Sequence, residues 1–482
     1  MKIISFPTHY EITPYVVGQC RELEIGLSTW NQSCHRWEPL GYTIIGQTLC
    51  LPKGIDPEYL TQTFNSPIFP YGSYDKDVYV SHYHRMLIEP RDNLQKDAID
   101  FIIGRGSYPQ TRRQNQVAIN LKPGDGKTYC TIYGIVDSNK KAIIISHTSK
   151  IRSQWYDEFM KTTDVSESDL VIVDGVDDMK KIIYHDKVGD YYFINHQTIQ
   201  SAIRNLGYSF VQDFFEALQV GIKVYDEAHI EFASILKLDM LVNVSKTYYL
   251  TATFRRTNSR ENRIFNEAFA SVFKFSNKMS SSGEKRKYVI YCPVEYNSDP
   301  SQEEIMSMYN KLGLFSTYNY IDYELEEVHA YEKLYAALEK VFTMIGETPG
   351  RVLVTNPKIE HCETIRNMIQ DICPNKTVGT IHSRNKDAMN INNSYSDIIV
   401  STIKSNGVGV NIESIRFLIN LEPFASTVVG EQLKGRLREY SSTDYSYFFD
   451  IVDIGVPKAN EFLKRRTRYY KKECNKVVHY KL

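Results

Sequence analysis

The chain has 482 residues, 42% of them hydrophobic, and a formal net charge of −1. That length suits two or three domains that each bury a core, and the charge excludes a uniformly basic nucleic-acid coat while leaving room for a local basic groove. The longest apolar runs, such as 142–145, are strand-length, and the N-terminus MKIISFPTHY lacks a long apolar core, so neither a membrane span nor a secretory leader is expected.

Residues 1–87 are rich in Tyr, Pro and Gly, with short alternating runs at 42–45 and 47–51, and read as a small α+β accessory domain that binds DNA. Trp30, Trp37, His35 and Arg36 offer a stacking and phosphate-binding surface, although aromatics in a domain this small serve more often as core. His82 and His84 have no cysteine or third histidine in register, so they read as surface histidines rather than metal ligands.

From 88 to 280 apolar strands alternate with amphipathic helices, the pattern of a parallel sheet covered on both faces. The spacing predicts a helix over 93–103, within which Gln95 is either an adenine-reading glutamine or a solvent-facing one. The stretch 121–128, LKPGDGKT, follows an apolar run and precedes a predicted helix. Such a glycine-rich turn cradles the phosphates of ATP through backbone N–H groups and the helix dipole. Pro123, Gly124, Asp125, Gly126, Lys127 and Thr128 are the expected ATP-binding residues, with Lys127 neutralising phosphates and Thr128 ligating Mg2+. The buried strand 142–146 ends in HTSK, where Thr148 and Ser149 are placed to donate to a nucleic-acid phosphate; Gln154 and Trp155 lie on the helix that follows. About a hundred residues beyond the loop, IKVYDEAH at 222–229 ends an apolar strand in two adjacent carboxylates. Asp226 fits the second Mg2+ ligand and Glu227 the group that polarises the attacking water. The strand 248–250 runs into Thr251 and Thr253.

A Ser/Gly/Lys-rich stretch, 279–287, reads as a linker to a second α/β unit spanning 288–482. That unit presents RVLVTN from Arg351, GTIHS from Gly379, IIVSTIKSNGVGVN from Ile398 and QLKGRLR from Gln432. The order of loop, hydroxyl-tipped strand, DEAH, Thr-Ala-Thr and these later elements resembles the superfamily 2 helicases of the DEAH-box type over roughly 88–453, and within them the phage branch-migration helicases of the UvsW kind. The segment TLCLPKGIDPEYL, 48–60, is similar to the end of the N-terminal domain of that kind. The resemblance implies two tandem RecA-like domains with ATP in the cleft between them. It implies that Arg436 and Arg438 reach the γ-phosphate as finger arginines, that Gln432 positions the attacking water or senses the γ-phosphate, that Gly409 and Asn411 contact the nucleotide or couple to DNA, and that Thr355 and Thr402 contact nucleic acid. Three positions depart from the family pattern: Asn411 stands in place of Asp, His147 in place of Pro, and the last element is one residue short before Arg438.

The implied function is an ATP- and Mg2+-dependent DNA helicase or translocase that remodels forks, Holliday junctions and R-loops, acting as a monomer on branched DNA, with RNA entering in hybrids. A poxvirus-type transcript-release helicase shares the layout, and a helicase-fold binding protein without turnover is a third reading; Lys127, Asp226, Glu227 and Arg436 are all intact. The last residues, 464–482, KRRTRYYKKECNKVVHYKL, read as a basic tail that is either a DNA-binding face or a solvated segment. Eight cysteines without C-x-x-C spacing indicate neither a zinc site nor a disulfide framework, and a reducing cytoplasm, the host's if the chain is viral, is the expected compartment.

Overall fold

Near-continuous Val, Ile and Tyr runs in both halves form strands buried on two faces, which is how parallel sheets flanked by helices read in sequence. In the computed structural model of the protein, the described residues are 1–482 without 32–34, 72–77, 122–123, 229, 252–258, 277–278, 280–285, 404–411, 413–414, 438 and 442. They divide into two compact units, Met1–Gly283 and Glu284–Leu482.

The first unit opens with a five-stranded sheet in the order Thr43–Ile45, Thr48–Pro52, His9–Thr13, Lys2–Ser5 and Ile68–Pro70. Its pairs are antiparallel except the last, and a hairpin of Ser28–Asn31 with Arg36–Pro39 stands beside it. Ile3, Leu49 and Leu60 of this small α+β layer share one apolar core with Phe232, Ile264 and Phe265 of the adjoining helices. Gly54 allows the approach: a Cβ there would come 2.1 Å from the carbonyl oxygen of Glu267. The accessory layer is therefore built into the unit rather than tethered to it.

The main sheet of this unit is seven-stranded and parallel, in the order Leu170–Ile172, Tyr191–Asn195, Ala142–Ser146, Ile222–Tyr225, Lys246–Thr251, Gln116–Asn120 and Phe273–Ser276. The helix Asn93–Ile103 starts where Asp92 accepts from Gln95 N at 2.9 Å and stops at Gly104, whose φ of 71° ends helical hydrogen bonding.

The second unit holds another parallel sheet, ordered Val378–Ile381, Ile398–Thr402, Arg351–Asn356, Ile415–Asn420, Ser446–Asp453 and Val289–Tyr296. The two short strands Lys476–Val477 and Tyr480–Lys481 both pair with Val289–Tyr296 at its edge. The fold is thus two tandem parallel α/β sheets of the RecA-like kind with a small N-terminal α+β sheet.

The segment expected to be a tail is part of this second core. Pro457–Glu473 is one helix whose Tyr470 is fully buried and whose Arg466 forms a two-pronged pair with Asp450, 2.7 Å from Nε to Oδ2 and 3.1 Å from Nη2 to Oδ1. Only the outer face, including Lys464, Arg465, Arg468, Lys471 and Lys472, is exposed. Apolar and basic residues alternate here at helical spacing, so the segment is a helix that buries one stripe, Tyr470 included, and wets the basic other, which removes the reading of a wholly solvated tail.

Candidate active site

Parallel strands bring their carboxyl ends to one edge of a sheet, and ligands of such sheets bind there. In the first unit that edge receives the glycine-rich loop after Gln116–Asn120, the HTS segment after Ala142–Ser146 and the carboxylate pair after Ile222–Tyr225.

In the loop, Gly124 and Gly126 have φ of 84° and 88°, a left-handed conformation that favours glycine. Gly126 is also crowded, since a Cβ would come 2.2 Å from Gln95 Nε2. Asp125 is buried; Pro123 lies outside the described residues. Lys127 and Thr128 form the first turn of the helix Lys127–Ser138, where free N–H groups and the positive dipole end favour an anion. Among the described residues, Lys127 Nζ is buried without a hydrogen-bond partner, and Glu227 Oε1 stands 3.6 Å away. A buried ammonium without hydrogen bonds is costly unless an anionic ligand completes it. The loop residues therefore fit a phosphate.

Asp226 is buried, and each of its oxygens is held: Trp155 Nε1 donates to Oδ2 at 2.8 Å and Glu227 N donates to Oδ1 at 2.9 Å. Burial, then the neighbouring Glu227 charge, pushes the Asp226 carboxyl above its ordinary range, against the opposing pull of Lys127 and Trp155. A desolvated carboxylate beside a second one fits a bound cation, so Thr128 and Asp226 suit Mg2+. Glu227 itself has φ of 47°, a conformation that non-glycine residues adopt rarely and that is often found at active sites. The role of Trp155 was not legible in sequence; its buried position on the helix Ser149–Thr162 is what aims the indole at Asp226.

Gln95 is buried, which removes the solvent-facing reading. Its Oε1 accepts from Arg91 N at 2.8 Å and its Nε2 reaches the Asp125 carbonyl at 3.5 Å. Arg91, which the sequence reading passed over, adds a 3.4 Å hydrogen bond from Nη2 to the Gly124 carbonyl. Its only sequence signal is its place beside the Asp92 cap.

At the next strand end, Thr148 caps the helix Ser149–Thr162 by accepting from Ile151 N at 3.3 Å, while Ser149 is exposed and accepts from Asn195 Nδ2 at 3.1 Å. His147 is 2.5 Å from Glu231 Oε1, and that hydrogen bond raises the imidazole pKa against the effect of burial. Thr251 is buried at its strand's end; Thr253 and His229 lie outside the described residues.

In the second unit, Gln432 is half-buried on the helix Thr427–Lys434, and Arg436, also half-buried, follows that helix with its N–H on the Leu433 carbonyl. Thr355 is fully buried and donates to Asn420 Oδ1 at 3.1 Å, and Thr402 is buried at the end of its strand. Gly409, Asn411 and Arg438 lie outside the described residues.

Two expectations about the N-terminal region are corrected. Trp30 and Trp37 are not core: they are 46% and 42% exposed and meet edge to face at 5.5 Å on the hairpin, with the Arg260 guanidinium 4.2 Å over Trp37. The hairpin has too little apolar neighbourhood to bury them, and Arg260 ties it to the preceding helix Arg21–Gly26 through the Ser28 and Ile25 carbonyls. His84 is not a surface histidine; its side chain is 6% exposed among three aspartates. Neither helical nor strand spacing surrounds it, so its burial had no local signal.

Residues 87–256 match the family model described as "Type III restriction enzyme, res subunit". No curated protein matches the chain. Among solved structures, one similar to it is described as "The crystal structure of T4 UvsW", at 15% sequence identity and a TM-score of 0.37, covering 100% of this chain and 99% of that one. No helix among the described residues is long and apolar enough to cross a membrane. The matched segment holds the phosphate loop and the Asp226–Glu227 pair on one sheet edge.

Proposed function

We propose that the protein is an ATP-driven DNA helicase or translocase acting on branched DNA. The observation that carries the reading is the buried Lys127 ammonium, without a hydrogen-bond partner among the described residues and 3.6 Å from Glu227. Lys127 and the loop N–H groups bind the phosphates of ATP. Thr128 and Asp226 would hold Mg2+, which would supply charge neutralisation for the bound phosphates. Glu227 orients the attacking water and takes its proton, while Trp155 and the Glu227 N–H keep Asp226 in position. Gln432, Arg436 and Arg438 act on the γ-phosphate, where an arginine finger stabilises transition-state charge. Gln95 reads adenine or braces the loop that holds its phosphates.

DNA is the expected partner because exposed Trp30 and Trp37 form a stacking platform beside exposed His35 and Arg36, and Ser149 sits exposed at a helix N-terminus. ATP turnover measured side by side with single-stranded DNA, duplex, fork, four-way junction and RNA tests the reading. Greater stimulation by the fork or junction than by linear DNA supports it; stimulation by RNA alone would sink it. Joint replacement Trp30→Ala and Trp37→Ala is expected to weaken fork binding by roughly 10- to 100-fold, since stacking contributes about 1–3 kcal/mol per base. Unchanged anisotropy titrations would remove the hairpin from the DNA surface.

A further inference from the structure

The first unit brings a second set of metal-type side chains together at the opposite edge of its sheet. Asp169 immediately precedes the strand Leu170–Ile172 and Asp190 immediately precedes Tyr191–Asn195. These neighbouring strands are parallel, with Leu170 beside Tyr191, so both carboxylates lie at amino ends while Asp226 and the phosphate loop lie at carboxyl ends. His84 arrives from the segment that joins the N-terminal layer to the helix Asn93–Ile103.

The imidazole is aimed between the carboxylates. Nε2 stands 3.8 Å from Asp190 Oδ2 and 4.0 Å from Asp169 Oδ2, too far for hydrogen bonds. Among the described residues Nε2 is buried without a hydrogen-bond partner, although the side chain is only 6% exposed. Nδ1 faces a third carboxylate, Asp164 Oδ1, at 3.8 Å. At that distance no hydrogen bond is made, and Asp164 Oδ1 accepts from Arg85 N at 2.7 Å; a shift of the ring by about 1 Å would let Nδ1–H donate to it, as metal-bound imidazoles do to keep their tautomer and orientation. The carboxylates are also held in place: Ser81 N and Oγ donate to Asp190 at 3.0 and 3.2 Å, and Ser166 N and Oγ donate to Asp169 Oδ2 at 2.8 and 2.7 Å. Lys141 Nζ, 3.8 Å from Asp190 Oδ1, is the one basic side chain paired with these aspartates among the described residues and leaves negative charge in excess.

We infer that His84, Asp169 and Asp190 bind a borderline first-row divalent cation such as Zn2+, with Asp164 orienting the imidazole. One ligand atom from each of the three residues lies within 4.8 Å of the others. Tetrahedral bonds of about 2.0–2.2 Å would set such atoms roughly 3.4 Å apart, so a small contraction closes the site. One nitrogen and two oxygens favour Zn2+ over Mg2+, which binds imidazole poorly. The ion would pin the 78–86 segment, already joined to the motor by Val80 N on the Asn139 carbonyl and Leu87 N on the Thr162 carbonyl. This site stands apart from the ATPase reading and does not depend on it.

Calorimetric titration of the full chain, stripped with chelator and free of nucleotide, with Zn2+ alone tests the inference. Wild-type protein is expected to bind one Zn2+ with micromolar or tighter affinity and to melt at a higher temperature when loaded. His84→Phe, which keeps the ring volume, and Asp169→Asn, which keeps the serine hydrogen bonds, should each weaken binding by more than about 100-fold and abolish the melting shift. Asp164→Asn should weaken it about 10- to 100-fold. Asp226→Asn should leave the site intact, which separates it from the nucleotide site. Melting of the metal-free variants checks that both are folded. Absence of stoichiometric binding by the wild type, as for an imidazolium that balances the aspartates by itself, overturns the inference, and so does binding that survives in either His84→Phe or Asp169→Asn.

Discussion

Glu227→Gln is expected to bind ATP and to hydrolyse it at least roughly a hundredfold more slowly, because loss of a positioned base costs 10²- to 10⁴-fold while the amide keeps the size and most contacts of the carboxylate. The side chain is 25% exposed and stands 3.6 Å from Lys127, at the edge of the site rather than in a core, so the fold should be unaffected. Lys127→Ala should lose both binding and turnover, since it removes the buried ammonium that has no hydrogen-bond partner among the described residues and is left for a phosphate. Single-turnover hydrolysis and a nucleotide-binding titration on both variants separate the two effects. Near wild-type turnover by Glu227→Gln would move the role of base to another acid, and undiminished ATP affinity in Lys127→Ala would remove the loop from phosphate binding.

Arg466→Ala should destabilise the second unit by about 3–5 kcal/mol, the range for breaking a buried ion pair and leaving one charge alone. Arg466 is 3% exposed and Asp450 fully buried, and the arginine also donates to the Phe424 carbonyl at 2.5 Å. Asp450 is shared further, accepting from Tyr291 Oη and from Asn420 Nδ2 at 2.9 Å, so removal of the guanidinium unsettles a strand, a helix and a loop together. Arg465→Ala, one position away, loses only an exposed contact with Glu461 and should cost less than about 1 kcal/mol. Denaturant unfolding of the two variants tests the contrast; equal midpoints would mean that the helix is not packed as described. The same arrangement makes deletion of 464–482 an unsuitable probe of DNA binding, because it removes Tyr470, Arg466 and two edge strands. Charge-neutralising changes at Lys464, Arg468 and Lys471 address the outer face alone.

Local patterns determined much of this protein. The helix predicted over 93–103 is the helix Asn93–Ile103, and the strands read at 142–146 and 222–225 appear with those bounds, because their apolar spacing is set by neighbours in sequence. The glycine-rich loop and the adjacent carboxylates were legible for a similar reason: positive φ and paired acids require particular residue types at short range. What only the tertiary structure decided was which polar and aromatic groups are withdrawn from water. Trp30 and Trp37 stay exposed because a two-stranded hairpin offers nothing to bury them. His84, Arg466 and Trp155 are buried beside Asp190, Asp450 and Asp226, carboxylates on other elements that no local spacing brings to them, and burial becomes favourable only when such charges or acceptors converge. Sequence periodicity states which residues share a face; what that face meets is settled by the packing of strands and helices that are remote in sequence.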